Sequence, residues 1–191
     1  MIQEFVDLVE QLFPSISPYV KDRVNDAIKQ FDTSGQKSDF FMFKSLDHLA
    51  QGDIFDNIPF FKIDPKTNEL FDIRKKGILL SNTCDASRDE EILFAPLIRL
   101  DDITSVDINQ IKKNLIYQFL YLPDKNLHEY CIDLSWINNL PRSLILKALQ
   151  QEKISKIGSL NRMGYYLFLA KITVHLMRPE DSEVQSVRAA V

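Results

Sequence analysis

The sequence of 191 residues has only two cysteines and no long apolar run. Cys84 and Cys131 lack the paired spacing of a zinc site or a redox motif, so we expect two reduced thiols. No segment approaches the roughly 18 consecutive apolar residues that span a bilayer, and the N-terminal residues lack the pattern of a secretion signal. These absences predict a cytoplasmic protein that has no contact with a membrane.

The charge balance excludes a global field that would attract nucleic acid. The chain has 23 Lys and Arg against 27 Asp and Glu, a formal net charge of −4. Any contact with nucleic acid must therefore be local. Apolar residues make up 45% of the chain and charged residues 26%, which argues against disorder. With no internal repeat and no low-complexity tract, the chain suits one compact unit with appendages.

Apolar periodicity divides the chain into three parts. Residues 1–50 have apolar side chains at three- and four-residue steps on both sides of Pro14, which predicts a helical hairpin that packs on the rest. Residues 51–140 contain short apolar runs between turn formers, which is typical of a small antiparallel barrel or a strongly curled sheet. Residues 141–191 return to a helical pattern and end in a polar tail that we expect to fray. The pattern predicts the α+β class.

Individual elements follow from the same signals. We expect a turn at residues 64–68, one or two helical turns within 101–113, a helix over 141–152, and a longer helix from residue 159 that ends before Pro179. A strand at residues 172–174 is the alternative for part of that last helix, because β-branched side chains lie there. Strands are predicted at residues 53–55, 77–81, 91–96, 115–122 and 129–134.

A polar cluster, SNTCD at residues 81–85, follows one of these buried strands. Cys84 is a candidate nucleophile, but the neighbouring Asp85 would raise its thiol pKa, and a small buried cysteine at a strand end is the favoured interpretation. Asp85 is equally suited to cap the turn that follows. Thr83 and Ser81 are candidate hydroxyl donors, and their clustering is the reason to consider a function.

Three successive cations precede the same strand and form the best local anion site. Arg74, Lys75 and Lys76 could hold a phosphate group, or they could form a solvated edge that discourages pairing between sheets. The histidines show no ligand spacing, so we expect no metal and no cofactor. Those histidines are His48, His128 and His175.

Four short motifs follow one another in the central third of the chain. They are QGDIF at 51–55, KKGILLS at 75–81, ILFAPL at 92–97, and DLSWI at 133–137 followed by Pro141 and Arg142. In both order and spacing, over roughly residues 51–145, they resemble the MazF/PemK family of bacterial toxins. The segments 81–85, 121–124 and 158–160 also resemble a group of longer bacterial proteins with this barrel and unknown activity.

The resemblance implies an SH3-like barrel and, for typical members, a metal-independent endoribonuclease that acts as a homodimer and is silenced by an antitoxin. Those enzymes use an arginine before the second strand and a hydroxyl residue at the end of the third. This chain has Lys75 in the first position, and Ile98 and Arg99 in place of the second. A lysine keeps the charge but loses the bidentate fork of arginine.

Two functions follow from the resemblance and its departures. The favoured one is a barrel with little or no catalysis that binds a partner protein, an antitoxin or a defence component. The alternative is a MazF-type endoribonuclease that cleaves single-stranded RNA, with Lys75 at the phosphate and Thr83, Asp85 or Arg99 assisting. RNA and a second copy of the chain are the other candidate partners. The phosphate-binding candidates are Arg74, Lys75, Lys76 and Arg142.

Overall fold

A computed structural model describes residues 40–42, 46–177 and 182–189. Within them, eight strands form an antiparallel sheet with five α-helices around it, which confirms the α+β class. The strands are β1 Phe41–Met42, β2 Asp53–Ile63, β3 Leu70–Leu79, β4 Glu91–Arg99, β5 Phe119–Leu120, β6 Tyr130–Asp133, β7 Asn138–Pro141 and β8 Ser155–Leu160. The helices are α1 Thr83–Arg88, α2 Ile108–Lys112, α3 Arg142–Gln150, α4 Arg162–Met177 and α5 Ser182–Ala189, with a 3-10 turn at Leu100–Asp102.

The described strands do not close into a barrel, so that part of the prediction is wrong. Their order is β1-β8-β2-β3-β4-β6-β5, with β7 also paired to β4. The two terminal strands, β1 and β5, have two residues each and pair with one neighbour each. Such short ends cannot supply the second ladder that closure needs. In contrast, β4 pairs with β3, β6 and β7 along different parts of its length.

A long hairpin of β2 and β3 extends beyond the rest of the sheet. The pairing of β2 with β3 extends from the pair Ile54 and Ile78 to the pair Ile63 and Leu70. In contrast, β4 pairs only with the last three residues of β3. The predicted turn closes the hairpin, with Asp64 N–H donating to the Glu69 carbonyl at 2.9 Å. A bulge interrupts β2 between Phe55 and Ile58, and its residue Asn57 has a φ of 65°.

The core lies on both faces of the sheet because side chains alternate along each strand. On one face Ile54, Ile78 and Ala95 belong to a cluster that includes Phe168 of α4. On the other face, residues adjacent to these on the same strands pack with Ile145 of α3. The sheet is therefore covered by α4 on one side and α3 on the other.

A buried ion pair joins β2 to β8. Asp53 is fully buried, and its Oδ2 lies 2.7 Å from Nζ of Lys156. The hydroxyl of Ser159 donates to Oδ1 of Asp53, and the amide of Ala50 donates to Oδ2 at 2.7 Å. Lys156 Nζ also donates to two carbonyl oxygens of the segment that precedes β2. All the polar atoms of this carboxylate are thus satisfied.

Several elements differ from the predictions. Residues 158–160 end a strand, β8, rather than opening a helix, and α4 begins at Arg162. Residues 172–174 are helical, and the polar tail forms α5. The short α1 occupies the segment expected to be a turn, while the helical turns within 101–113 are confirmed. The N-terminal helical hairpin lies outside the described residues. None of the helices that the structure describes is long and apolar enough to cross a membrane.

Candidate functional site

Thr83 and Asp85 lie on α1, immediately after β3. The side chain of Asn82, not Asp85, caps this helix by accepting from the Cys84 amide at 2.9 Å. The Thr83 hydroxyl accepts from the Gln51 amide at 3.1 Å, and Asp85 forms an exposed ion pair with Arg88 at 3.0 Å. Thr83 therefore holds α1 to the segment before β2, and Asp85 forms an ion pair within α1.

Cys84 is exposed, which corrects the expectation of a buried cysteine. It lies in the first turn of α1, and side chains of Ser87 and Arg88 bond its carbonyl oxygen. Cys131 is buried, and burial raises the pKa of its thiol to about 12. No three His, Cys, Asp or Glu side chains within the described ranges are grouped so that they could hold a metal ion.

Arg142 lies near α1, and its side chain contacts the C-terminal end of that helix. It opens α3, its amide donates to the Glu90 carbonyl at 2.7 Å, and its Nη2 donates to the Ser87 carbonyl at 3.0 Å. A guanidinium at the C-terminal end of a helix is favoured by the helix dipole. Its Nε is buried and makes no hydrogen bond with any described residue.

The three cations of β3 do not lie on one face. Arg74 and Lys76 lie on one face of the strand and Lys75 lies on the other. Arg74 and Lys76 both reach the bulge of β2. Arg74 Nη1 donates to the Asn57 carbonyl at 3.1 Å, and Lys76 Nζ pairs with Asp56 at 3.2 Å. The side chain of Lys75 makes no hydrogen bond or ion pair with the described part of the chain.

Lys76 and Arg99 lie near Tyr130 of β6. Lys76 Nζ lies 5.6 Å from the ring centroid, and Arg99 is the register partner of Tyr130 between β4 and β6. Arg99 forms ion pairs with two carboxylates, those of Asp101 and Glu129, and each distance is 3.4 Å. Glu129, followed by Asp101, raises the pKa of this guanidinium. The cations at this point are thus matched by acidic partners.

The inner part of β3 is the segment of residues 75–79. The predicted residues lie in two groups, one at each end of this segment. Lys75, Lys76 and Arg99 lie where β3 leaves the sheet, whereas Thr83 and Asp85 follow its far end. The strand from Lys75 to Leu79 alone spans about 13 Å at the usual rise per residue. Arg142 bonds the end of α1, whereas Lys76 and Arg99 lie near Tyr130 at the other end of this segment.

The chain was compared with protein families, with curated proteins and with solved structures. No protein-family model matches the sequence, and no curated protein matches it. The structure is similar to a solved structure titled "Endoribonuclease from Mycobacterial species", with a TM-score of 0.43 and 9% sequence identity. The alignment covers 72% of this chain and 100% of that chain. This degree of likeness does not establish an activity.

Two partly buried cations were missed by sequence reasoning. Lys156 partners Asp53, and Lys171 of α4 donates to the carbonyl oxygens of Asn114 at 3.0 Å and Ile116 at 2.7 Å. Burial lowers the pKa of Lys171 to about 8, because no carboxylate offsets the desolvation. A lysine inside an apolar run, as in the segment around Lys171, was the available signal.

Proposed function

We propose that this chain is a protein-interaction component of a bacterial toxin–antitoxin or defence system, with little or no catalytic activity of its own. The observation that carries the proposal is the division of the candidate catalytic groups between the two ends of the inner part of β3. The bacterial setting rests on the resemblance of four ordered motifs to the MazF/PemK toxins. Endoribonuclease activity is the alternative.

Cleavage of RNA through its own 2′-hydroxyl needs a proton acceptor, a proton donor and a cation at one phosphate group. Thr83 already accepts a hydrogen bond from Gln51, and Asp85 is paired with Arg88. A strand segment of about 13 Å, residues 75–79, separates Lys75 from the turn that leads to both. One phosphate group cannot contact all three at hydrogen-bonding distance in this arrangement, which favours binding over catalysis.

The outer part of the β2–β3 hairpin supplies a surface for a partner. Five large apolar side chains are exposed there, more than on any other element that the structure describes. Leu70 is 69% exposed and Ile63 is 59% exposed. Exposed apolar patches of this kind mark protein contacts. Phe61, Ile63 and Leu70 share one face of the hairpin, since Ile63 is the register partner of Leu70, and Phe71 and Ile73 lie on the other face.

An RNA cleavage assay tests the absence of catalysis. The full chain, incubated at micromolar concentration with single-stranded RNA of mixed sequence, is expected to leave the RNA intact. The Lys75→Ala variant is the control for contaminating nuclease, because a contaminant cleaves equally in both preparations. Cleavage by the wild-type chain that is lost in Lys75→Ala would establish the alternative and overturn the proposal.

Capture from the native host tests the binding function. We expect a host protein to be retained by the wild-type chain and lost with Leu70→Asp, because a carboxylate on the exposed hairpin blocks an apolar contact. Leu115→Asp is the matched control, since Leu115 is 63% exposed and lies outside the hairpin. Equal retention by Leu70→Asp and Leu115→Asp would exclude the hairpin as the binding surface.

A further inference from the structure

One edge of β3 is open over most of its length. The strand pairs with β2 from Leu70 to Ile78, but β4 covers its other side only from Gly77 to Leu79. No strand within the described ranges pairs with that side over residues 70–76, and residues 70–74 are all exposed. An unpaired edge presents amide and carbonyl groups that another strand can bond.

The outer edge of β2 in the same hairpin is protected. The Phe61 amide donates to Oδ1 of Asn138 at 2.6 Å, and the Phe61 carbonyl accepts from Nε1 of Trp136 at 3.0 Å. Two residues earlier, Pro59 has no amide hydrogen to offer. Features of this kind keep a foreign strand away from an edge. Residues 70–74 of β3 contain no proline and have no such bonds from described side chains, so the accessible edge of the hairpin is that of β3.

Two independent contacts show which residues of β3 face the open edge. Because both backbone groups of Phe61 point away from β3, those of its register partner Asp72 point away from β2. Just beyond the other end of β3, the Leu80 amide donates to the Leu93 carbonyl of β4 at 2.8 Å, so Leu80 faces the β4 side. Alternation from either residue gives the same set. The outward-facing residues are Leu70, Asp72 and Arg74.

We propose that this edge binds an extended segment of a partner protein as an additional antiparallel strand. From its N-terminus, the segment has an acidic residue and then two apolar residues at alternate positions. Strand addition draws its affinity from backbone hydrogen bonds and its specificity from alternate side chains. The direction is that of β4, which already pairs with this edge antiparallel. This binding mode rests on the proposed function, because it gives the chemistry of the partner at the hairpin.

Three side chains on one face of β3 define this pattern. Phe71, Ile73 and Lys75 alternate along the strand on the face that carries Leu79. Phe71 is 42% exposed and Ile73 is 37% exposed, and the Lys75 side chain has no partner among the described residues. An added strand makes its non-hydrogen-bonded pairs at these three positions, where facing side chains are closest. Apolar residues opposite Phe71 and Ile73, and a carboxylate opposite Lys75, are therefore stabilising.

The opposite face of the strand requires less of the partner. Lys76 is paired with Asp56, and Arg74 donates to the Asn57 carbonyl. Asp72 adds a carboxylate on the same face as these cations, so no single charge is needed across from them. The intervening positions of the segment therefore suit small polar residues such as threonine, which also favours extended backbone.

Titration of the full chain with synthetic peptides, followed by NMR, tests the strand addition. The probe is a short capped peptide with threonine at alternate positions and Glu, Val and Val, in this order, between them. We expect saturable binding that slows hydrogen exchange of the Asp72 and Arg74 amides. The amides of Phe71 and Ile73, which bond β2, should be protected with or without the peptide.

N-methylated peptides separate backbone pairing from a simple apolar contact. In the proposed pairing the threonine amides point at β3 and the valine amides point away from it. N-methylation of the threonines should therefore weaken binding about tenfold or more, because their hydrogen bonds are lost. N-methylation of the valines is the matched control and should change binding by less than about threefold.

A charge exchange gives a second readout. Lys75→Glu is expected to bind the peptide about fivefold or more weakly, because an attractive cross-strand pair becomes repulsive. A peptide with Lys in place of Glu should bind Lys75→Glu more tightly than it binds wild type. Lys66→Glu is the control, since it makes the same charge change in the turn, outside residues 70–76. Circular dichroism of each variant verifies the fold.

Three results would overturn the strand addition. They are the absence of saturable binding, equal binding of the two N-methylated peptides, and self-association of the wild-type chain that Asp72→Pro abolishes, which would assign the edge to a second copy. None of them decides the proposed function, which the capture assay with Leu70→Asp tests separately. Capture that fails while the peptide still binds would overturn the proposed function alone.

Discussion

The buried pair of Asp53 and Lys156 gives the largest stability change that a single substitution should produce in the described fold. Asp53 is 0% exposed and the Lys156 side chain is 11% exposed, with 2.7 Å between the charged atoms. In Lys156→Met the apolar stem is kept, but the carboxylate is left buried without its cation. Removing one partner of a buried pair costs about 3–5 kcal/mol of unfolding free energy. The remaining bonds from Ser159 and Ala50 place the expectation near the lower limit.

Urea denaturation followed by circular dichroism measures this loss. The matched control is Arg88→Met, which breaks a pair with Asp85 whose side chains are 69% and 48% exposed. Exposed pairs contribute about 0–1 kcal/mol, so the control should unfold at nearly the wild-type urea concentration. Adding Asp53→Asn to Lys156→Met should recover part of the loss, because the uncompensated charge is then removed. A Lys156→Met variant as stable as Arg88→Met would refute the reasoning.

Other predictions concern single groups. Gly164→Ala is expected to lower the unfolding free energy by about 1–3 kcal/mol in urea denaturation, because a Cβ there would overlap the Phe40 carbonyl oxygen; an unchanged midpoint would contradict this overlap. The folded state of Lys171, whose pKa is about 8 rather than 10.5, binds fewer protons than the unfolded state between these values, so stability relative to Lys171→Met should rise from pH 8 to pH 10.5. A flat difference between the two chains in that pH range would refute it. Alkylation at pH 8 should modify the exposed Cys84 and spare the buried Cys131, whose pKa is about 12, until denaturant is added; mass spectrometry that finds two adducts in the folded chain would contradict it.

The class of the fold and its central strands could be predicted from local patterns. The apolar runs at residues 77–81 and 91–96 lie within or beside β3 and β4, because strands covered on both faces read as continuous apolar segments. β8 could not be predicted in this way. Its sequence SKIGSL has no alternation, and it is a strand because it bonds β1 and β2. The outer hairpin was missed because its apolar side chains are exposed rather than buried.

The position of Thr83 and Asp85 after a strand could be predicted from the sequence, but the contacts of the candidate residues could not. Thr83 bonds Gln51, which is 32 positions earlier in the chain. Arg142 bonds Ser87, which is 55 positions earlier. Contacts of this kind depend on how β2, α1 and α3 pack, and no local spacing encodes them.

The three cations of β3 show how position on a strand changes the meaning of a charge run. As a loop before a strand, Arg74, Lys75 and Lys76 could surround one phosphate group. Within a strand their side chains alternate between faces, so a single anion contacts two of them at most. Arg74 and Lys76 already bind the bulge of β2. Two of the three cations therefore stabilise the pairing of β2 with β3, and the Lys75 side chain lies on the other face of the strand.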